Sequence, residues 1–385
     1  MVTSTQNYLH ENYLLKGEKR LLYQEPVLIL NSRQSKTPVG TDPWVRNTID
    51  AVKFAADSGS PVIASIGMNT WELVLWAVGE FDSSVIILCP LKKSESADDI
   101  ASAIADDFEL GGNKHVFVFI PEIKSSRGEK TWWRQRDLMA FELAGSIIPV
   151  SVNPLGGLAS LIDKEFRDKI DHKSDFRTEY KTRHSSGLKI DVPDVCRTFD
   201  NWHYLTHWTK RTYEPWPGEK SSDFYRAIAS SGDIYPRLAI DTLSRILQEG
   251  LIRGSTDHIR GGNRVTAFTA LPPQEAIPLM KWRKRFVKPT FEPYGIAINY
   301  RSAFRNGIRP VTYVSASEKT PDSPEFFQGF GTGDWPKEKE WRALGDVVLS
   351  DILDDELIVL VPDPASAEKI RPLTRFRIES LSECG

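Results

Sequence analysis

Five short apolar runs, each separated from the next by a stretch of helical spacing, constrain the first part of the chain more than any other feature. The runs are VLILN (Val27–Asn31), PVIASI (Pro61–Ile66), SVIILCP (Ser84–Pro90), HVFVFIP (His115–Pro121) and IIPVSV (Ile147–Val152). They are apolar nearly throughout rather than alternating, as strands covered on both faces must be. Between them, Trp44–Ser58 places Trp44, Val45, Thr48, Ile49, Val52 and Ala55 on one helical face. A second helix starts near Asn69 or Thr70, with Thr70 as its cap and Glu72 in its first turn. Ser94–Phe108 and Arg134–Gly145 read as helices too, the former with an acidic pair near its start that suits the helix dipole. Strand and helix in alternation predict an α/β domain with a parallel, Rossmann-like sheet.

Ligands of such sheets sit at the carboxyl ends of the strands. Gly67, before a helix start, is a candidate for offering backbone N–H groups to a phosphate, and Arg33 for adding a forked donor. Neither GxGxxG nor a Walker A sequence occurs, so dinucleotide or P-loop binding of those types is not supported.

The chain has 385 residues, which favours two domains. A formal net charge of -3 argues against a protein that grips nucleic acid by bulk charge. Cys89, Cys196 and Cys384 lie far apart and form no zinc-ligand spacing, so no metal is expected. The polar segment Met1–Glu25 reads as a short helix or arm without the apolar core of a signal peptide. No apolar run approaches membrane-spanning length. The expectation is a cytoplasmic protein without a membrane partner.

Asp163–Asp200 interleaves acids and bases and reads as a solvated helix and linker. The expected organisation is an arm over residues 1–25, a Rossmann-like domain over 26–160, a charged linker over 161–200 and an α+β domain over 201–385. The last opens on NWHYLTHWTKRTYEPWPG (Asn201–Gly218), an aromatic-rich stretch broken by Pro and Gly that reads as a loop and a candidate pocket wall. Arg237–Gly250 is a helix stopped by Gly250. VTAFTAL, FEPYGIAINY, RPVTYVSA and ELIVLVPD read as strands, and Ile277–Val287 as a basic helix or turn. KWRKRF, with Lys281, Trp282, Arg283 and Arg285, interleaves cations with aromatics, as surfaces that track a strand backbone and stack bases do. Trp132, Trp133 and Arg134 repeat the pattern in the first domain.

Two resemblances follow. The strand-then-Asn31-Ser32-Arg33 opening, the glycine after the second strand and the third strand ending in Pro90 resemble the SLOG and DprA-like Rossmannoid group, although Asn31 stands where that group has glycine. This implies a nucleotide, a nucleotide-derived signal or single-stranded DNA as ligand. In the second half, an early His-x-Thr (His207, Thr209), a strand ending in Phe268-Thr269, a strand after Tyr294-Gly295, a Pro-Val-x-Tyr strand and a Glu-x-Glu-Trp-Arg segment resemble ADP-ribosyltransferase-type domains, in particular DarT-like enzymes and abortive-infection proteins.

That second resemblance implies NAD as co-substrate and nucleic acid, DNA ahead of RNA, as partner, with a place in antiphage defence. His207 and Thr209 would hold the nicotinamide riboside, and Tyr294, Tyr300 or Phe268 would stack. Arg253 or Arg260 would meet the pyrophosphate, and Glu340, with Glu338 as runner-up, would be the catalytic carboxylate. Two other functions use the same residues: NAD-independent modification of a DNA base, such as a 7-deazaguanine, and non-enzymatic sensing of nucleic acid or nucleotide.

Overall fold

The computed structural model describes residues 12–121, 129–172, 174–181, 190–195, 198–256, 259, 262–283, 288–314, 324–329 and 335–382. It divides into two compact units, one of Met1–His184 with Gly218–Pro236 and one of Ser185–Pro217 with Arg237–Gly385. The expectation placed all of 201–385 in one domain, whereas the Gly218–Pro236 segment groups with the first unit.

In the first unit the strands are β1 (Leu14–Gly17), β2 (Val27–Asn31), β3 (Val62–Ser65), β4 (Val85–Leu91), β5 (His115–Pro121) and β6 (Ser146–Ser151). The sheet order is β1-β5-β4-β3-β2-β6, parallel throughout except for β1. Every residue of β2 and β3 is buried, which is why their sequences do not alternate. The helices are α1 (Pro43–Asp57), α2 (Asn69–Glu80), α3 (Ala97–Asp107), α4 (Glu129–Leu143) and the short α5 (Gly157–Leu161). Ser96 caps α3 by accepting the Asp99 N–H, and Asp98 and Asp99 occupy its first turn.

Three expectations change. Met68, not Thr70, precedes α2, so Thr70 lies inside the first turn. Leu14–Gly17, expected within an arm, is an edge strand: Leu15 is buried, and β1 pairs antiparallel with β5. The charged segment begins as part of the first unit. The Thr178 N–H donates to Val150 O and Asn47 Nδ2 to Phe176 O, so residues near 176–178 shield the β6 side of the sheet, an edge that would otherwise be open.

Helix α6 (Ser221–Ser230) completes the first unit. It is held by Tyr225 Oη donating to Glu72 Oε2 at 2.7 Å, by Lys220 on Asp106 at 2.9 Å, and by Arg226 among Glu80, Glu109 and Asp223.

The second unit contains β7 (Tyr204–Trp208), β8 (Leu251–Ile252), β9 (Val265–Thr269), β10 (Trp282–Arg283), β11 (Lys288–Pro289), β12 (Gly295–Asn299), β13 (Arg309–Pro310), β14 (Thr312–Val314), β15 (Phe327–Gly329), β16 (Glu340–Leu344), β17 (Val347–Val348), β18 (Leu357–Val361) and β19 (Arg377–Ser380). Seven of them form a sheet of order β13-β16-β9-β7-β12-β18-β19, antiparallel except for β18 with β19. Its helices are α7 (Ala239–Glu249), α8 (Pro273–Ala276), α9 (Tyr300–Arg305) and α10 (Pro364–Ile370), and Gly250 caps α7 with φ 65°. This antiparallel sheet carrying helices fits an α+β unit; the finer likeness to ADP-ribosyltransferases is a matter of proposal.

Apolar side chains alternate to two cores, Leu205, Phe268, Ile296 and Val359 on one face, Trp208, Ala297, Ile358 and Leu360 on the other. Two segments differ from their sequence reading. The aromatic stretch expected as a loop contributes β7, a central strand. The basic stretch expected as a helix or turn contributes β10, paired antiparallel with β11.

Gly295 of β12 faces Trp208 across the sheet, and a Cβ there would lie 2.8 Å from Trp208 Cε3 and 2.9 Å from His207 O. Gly295→Ala therefore overpacks the centre of the sheet. Urea unfolding is expected to show a loss of about 1–3 kcal/mol, whereas an unchanged midpoint would mean that the strands yield freely.

Candidate functional site

The centre of the second sheet is incomplete, and a cleft occupies the gap. β7 and β9 pair at one position, Thr206 opposite Thr269, and the next rung, Trp208 opposite Ala267, is not formed. The His207 ring replaces it: Nδ1 donates to Ala267 O at 2.8 Å, and the ring meets Phe268 edge-on at 5.7 Å. Because a carbonyl only accepts, this bond places the proton of the neutral ring on Nδ1. Farther along β9, Ser255 bridges Val265 through both main-chain bonds. By the alternation of an antiparallel ladder, Trp208's main-chain N–H and C=O and the Ala267 N–H are left facing the gap.

The cleft has a volume of about 500 Å³, within the ~300–1,000 Å³ typical of small-molecule sites. His207 and Glu340 both line it, with Phe268 in the floor and Trp208 and Phe291 stacked in parallel at 6.5 Å. Lys210, Arg253, Arg283, Lys288 and Arg342 outnumber the two carboxylates, Glu338 and Glu340. Thr206, also in the lining, is 1 % exposed and its Oγ1 has no hydrogen-bond partner. The wall is basic and aromatic, with an unsatisfied hydroxyl and open main-chain groups at its base.

Glu340 is the first residue of β16, opposite Thr269, rather than part of a solvated helix. Its carboxylate is gripped by Arg342, with Nε on Oε1 at 2.8 Å and Nη2 on Oε2 at 3.1 Å. Arg342 is 2 % exposed, and it also donates to Glu325 O and to Gln328 Oε1. Such a bidentate pair fixes the orientation of the carboxylate as well as its charge. Sequence reasoning missed Arg342. The period of two was the available signal, because once EWR is read as a strand its first and third residues share a face.

The other expected residues divide. Arg253 lines the cleft and is paired with Glu249 at 2.9 Å, Glu338 lies 3.7 Å from Arg283, and Phe268 is buried in the floor. Thr209 is spent on the backbone, its hydroxyl donating to Tyr294 O and Ala239 O, and does not line the cleft. Tyr294 pairs with Ser366, and burial raises its phenol pKa. Tyr300 stands 5.1 Å from Trp341 at the start of α9; neither tyrosine lines the cleft. Lys281 is exposed at the mouth of the β10–β11 hairpin, where Thr290 Oγ1 accepts its main-chain N–H, and the Trp282 side chain is half-buried. Arg260 and Arg285 lie outside the described residues.

In the first unit Trp132 is a core residue, with its Nε1 donating to Ile120 O, and so presents no stacking face. Trp133 is half-buried against Gly67, and Arg134 is exposed. Arg33 is exposed, and its carbonyl accepts from Tyr180 Oη. Gly67 has φ 87°, but its N–H already donates to Glu72 Oε1 at 2.7 Å. Burial pushes the Cys89 thiol up to about 12, which removes it as a nucleophile at neutral pH. Among the described residues no group of three or more His, Cys, Asp or Glu could hold a metal ion, and no helix is long and apolar enough to cross a membrane.

Burial holds the His207 pKa below its ordinary 6.5; the Ala267 carbonyl opposes this, and nearby Lys210 adds to it. The folded state therefore favours the neutral ring. Its contribution to stability is complete above the unfolded value and is lost as pH falls below about 6.5 towards the depressed one. His207→Gln, which cannot titrate, is expected to flatten the decline in thermal stability between pH 7.5 and 5.5, read by scanning calorimetry at fixed ionic strength. Parallel slopes for the two proteins would assign the decline to other groups.

No family model matches the chain, and no curated protein matches it. Among solved structures, the chain is similar to DNA processing protein A from Helicobacter pylori, described for its single-stranded DNA binding mode, with a TM-score of 0.32 and 12% identity over 44% of this chain and 76% of that one.

Proposed function

We propose that the cleft of the second unit binds a nucleotide and that the protein is a nucleotide-dependent enzyme acting on nucleic acid by ADP-ribosyl transfer. The observation that carries this reading is that His207 and Glu340, far apart in sequence, line one basic and aromatic cleft at a missing sheet rung. The residues fit NAD. An amide-bearing ring finds a donor–acceptor edge in the open Trp208 and Ala267 groups, and a pyrophosphate finds Arg253 and Lys288. Bound there, NAD supplies a ribose carbon that becomes electrophilic as the nicotinamide departs.

The chain's own residues do the remaining work. The neutral His207 ring holds the strands apart and carries a lone pair on Nε2, a hydrogen-bond acceptor for a ribose hydroxyl. Glu340, held by Arg342 and so unable to swing away, presents fixed negative charge to a developing oxocarbenium centre. The half-buried Phe291 offers aromatic surface, and Arg283 of β10 offers a cation to the acceptor strand.

The test uses the full chain, labelled NAD and DNA oligonucleotides. Glu340→Gln is expected to reduce label transfer by about 100-fold or more, with far-UV circular dichroism and melting showing a retained fold, and His207→Ala to reduce it as far while also lowering the melting temperature, because the bond to Ala267 O is lost. Undiminished transfer by Glu340→Gln would remove that carboxylate from the mechanism. A change in the DNA without NAD would favour base modification instead, and salt-sensitive binding without any product would favour a sensor.

A further inference from the structure

The first unit holds a cavity of its own, where α6 meets the C-terminal ends of α2 and α3. Its volume is about 200 Å³, several times the ~30 Å³ that one water takes in the liquid, and its lining is mostly polar.

Two lining side chains are buried polar groups without a partner. Trp76 of α2 is 5 % exposed and Ser222 of α6 is 1 % exposed, and neither the indole Nε1 nor the Ser222 Oγ has a hydrogen-bond partner. An indole N–H only donates and a hydroxyl donates as well, so a single acceptor atom in the cavity would serve both. Left as they are, both groups destabilise the fold, because each has given up water and gained nothing in return.

The rim has the opposite polarity. Gly79, in the last turn of α2, lies so near the end of α3 that a Cβ there would be 2.5 Å from Phe108 O. The negative ends of two helix dipoles therefore meet at the cavity. The exposed Glu80 and Glu109 stand beside them, with Arg226 of α6 as their cation. Arg226 Nη2 reaches each of them through Oε2, at 3.1 Å, and Nη1 donates to Asp223 at 2.9 Å. Three carboxylates thus share one guanidinium, and among the described residues the Oε1 atoms of Glu80 and Glu109 carry no bond to it.

We propose that this cavity binds a small molecule that carries an ammonium group and, a few atoms away, an oxygen acceptor, the chemistry shared by amino acids and amino alcohols. The oxygen enters the cavity and accepts from Trp76 and Ser222. The ammonium stays at the rim, where Glu80 and Glu109 each offer the oxygen that Arg226 leaves and the two helix ends add negative potential. A molecule with only one of the two groups satisfies half of the site. The site lies apart from the cleft and does not depend on the function proposed for it.

The experiment follows the indole N–H signals of the full chain, isotope-labelled at tryptophan, by NMR while glycine, ethanolamine, ethylamine or acetate is added. The Trp76 signal, identified by its loss in Trp76→Phe, is expected to shift with glycine or ethanolamine, and the tighter binder of the two separates an amino acid from an amino alcohol as the source. Ethylamine, which lacks the oxygen, and acetate, which lacks the ammonium, are expected to bind about tenfold more weakly. Ser222→Ala is expected to weaken binding about tenfold while leaving the unliganded protein as stable as wild type or more so, because it deletes a hydroxyl that has no partner. A lowered melting temperature with unchanged binding in that variant would make Ser222 structural and overturn the proposal. An equal response to ethylamine would overturn it too, and so would a Trp76 signal unmoved by all four probes, which would leave the cavity to water. Every outcome is read from binding and stability, so loss of transfer activity at the cleft would not decide it.

Discussion

The second unit depends on one hydrogen bond, from His207 Nδ1 to Ala267 O. It replaces a rung that a continuous sheet would form between main chains. A sheet interrupted at its centre must satisfy or solvate the groups it frees, because a buried unpaired peptide group costs about 1–3 kcal/mol. The imidazole satisfies the carbonyl and leaves the neighbouring donors facing a cleft, where Ala267 is exposed in the middle of a seven-stranded sheet. The same ring is buried enough to prefer its neutral form. Sheet geometry, cleft formation and the protonation of a candidate functional group are thus one arrangement.

Glu340 illustrates the complementary constraint. A carboxylate this enclosed needs a partner, and Arg342 on the same strand face provides two bonds while the Glu325 carbonyl and Gln328 each take one more of its donors. The network consumes flexibility: the carboxylate can be approached, but its orientation is set from behind. Three further basic groups of the cleft lining, Lys210, Arg253 and Lys288, come from three separate stretches of chain, so the positive character of the cleft is a property of the assembled unit and coexists with a net charge of -3.

The first unit follows the opposite logic. Its strands are continuous and buried, and its polar features gather at the turn where β3 gives way to α2. There Gly67, Glu72 and Tyr225 form a chain of contacts, while Trp132, which composition would assign to a stacking surface, instead packs into the core with its indole N–H bonded to Ile120 O. Cations interleaved with aromatics are therefore ambiguous in sequence. The same spacing serves an exposed platform or an amphipathic helix, and burial alone separates the two.

Much of the first unit was legible because a strand buried on both faces has no choice of composition: Val27–Asn31 and His115–Pro121 coincide with their predicted runs. Leu14–Gly17 was not legible, since a four-residue edge strand carries little pattern of its own and owes its conformation to β5. In the second unit the aromatic segment read as a loop became a central strand over Tyr204–Trp208, because the Pro and Gly residues that suggested a loop lie beyond it and Tyr, Thr and Trp suit a strand. What the amino-acid order determined by itself was the alternation of buried strand and amphipathic helix, the Gly250 stop and the presence of His207 and Glu340 as candidates. What only the tertiary structure decided was that these two share a cleft, that Thr209 and Tyr294 belong to the scaffold, and that Gly218–Pro236 belongs to the first unit. Those relations are long-range, and the period of a strand or helix encodes which face a side chain takes but not which distant strand will lie beside it.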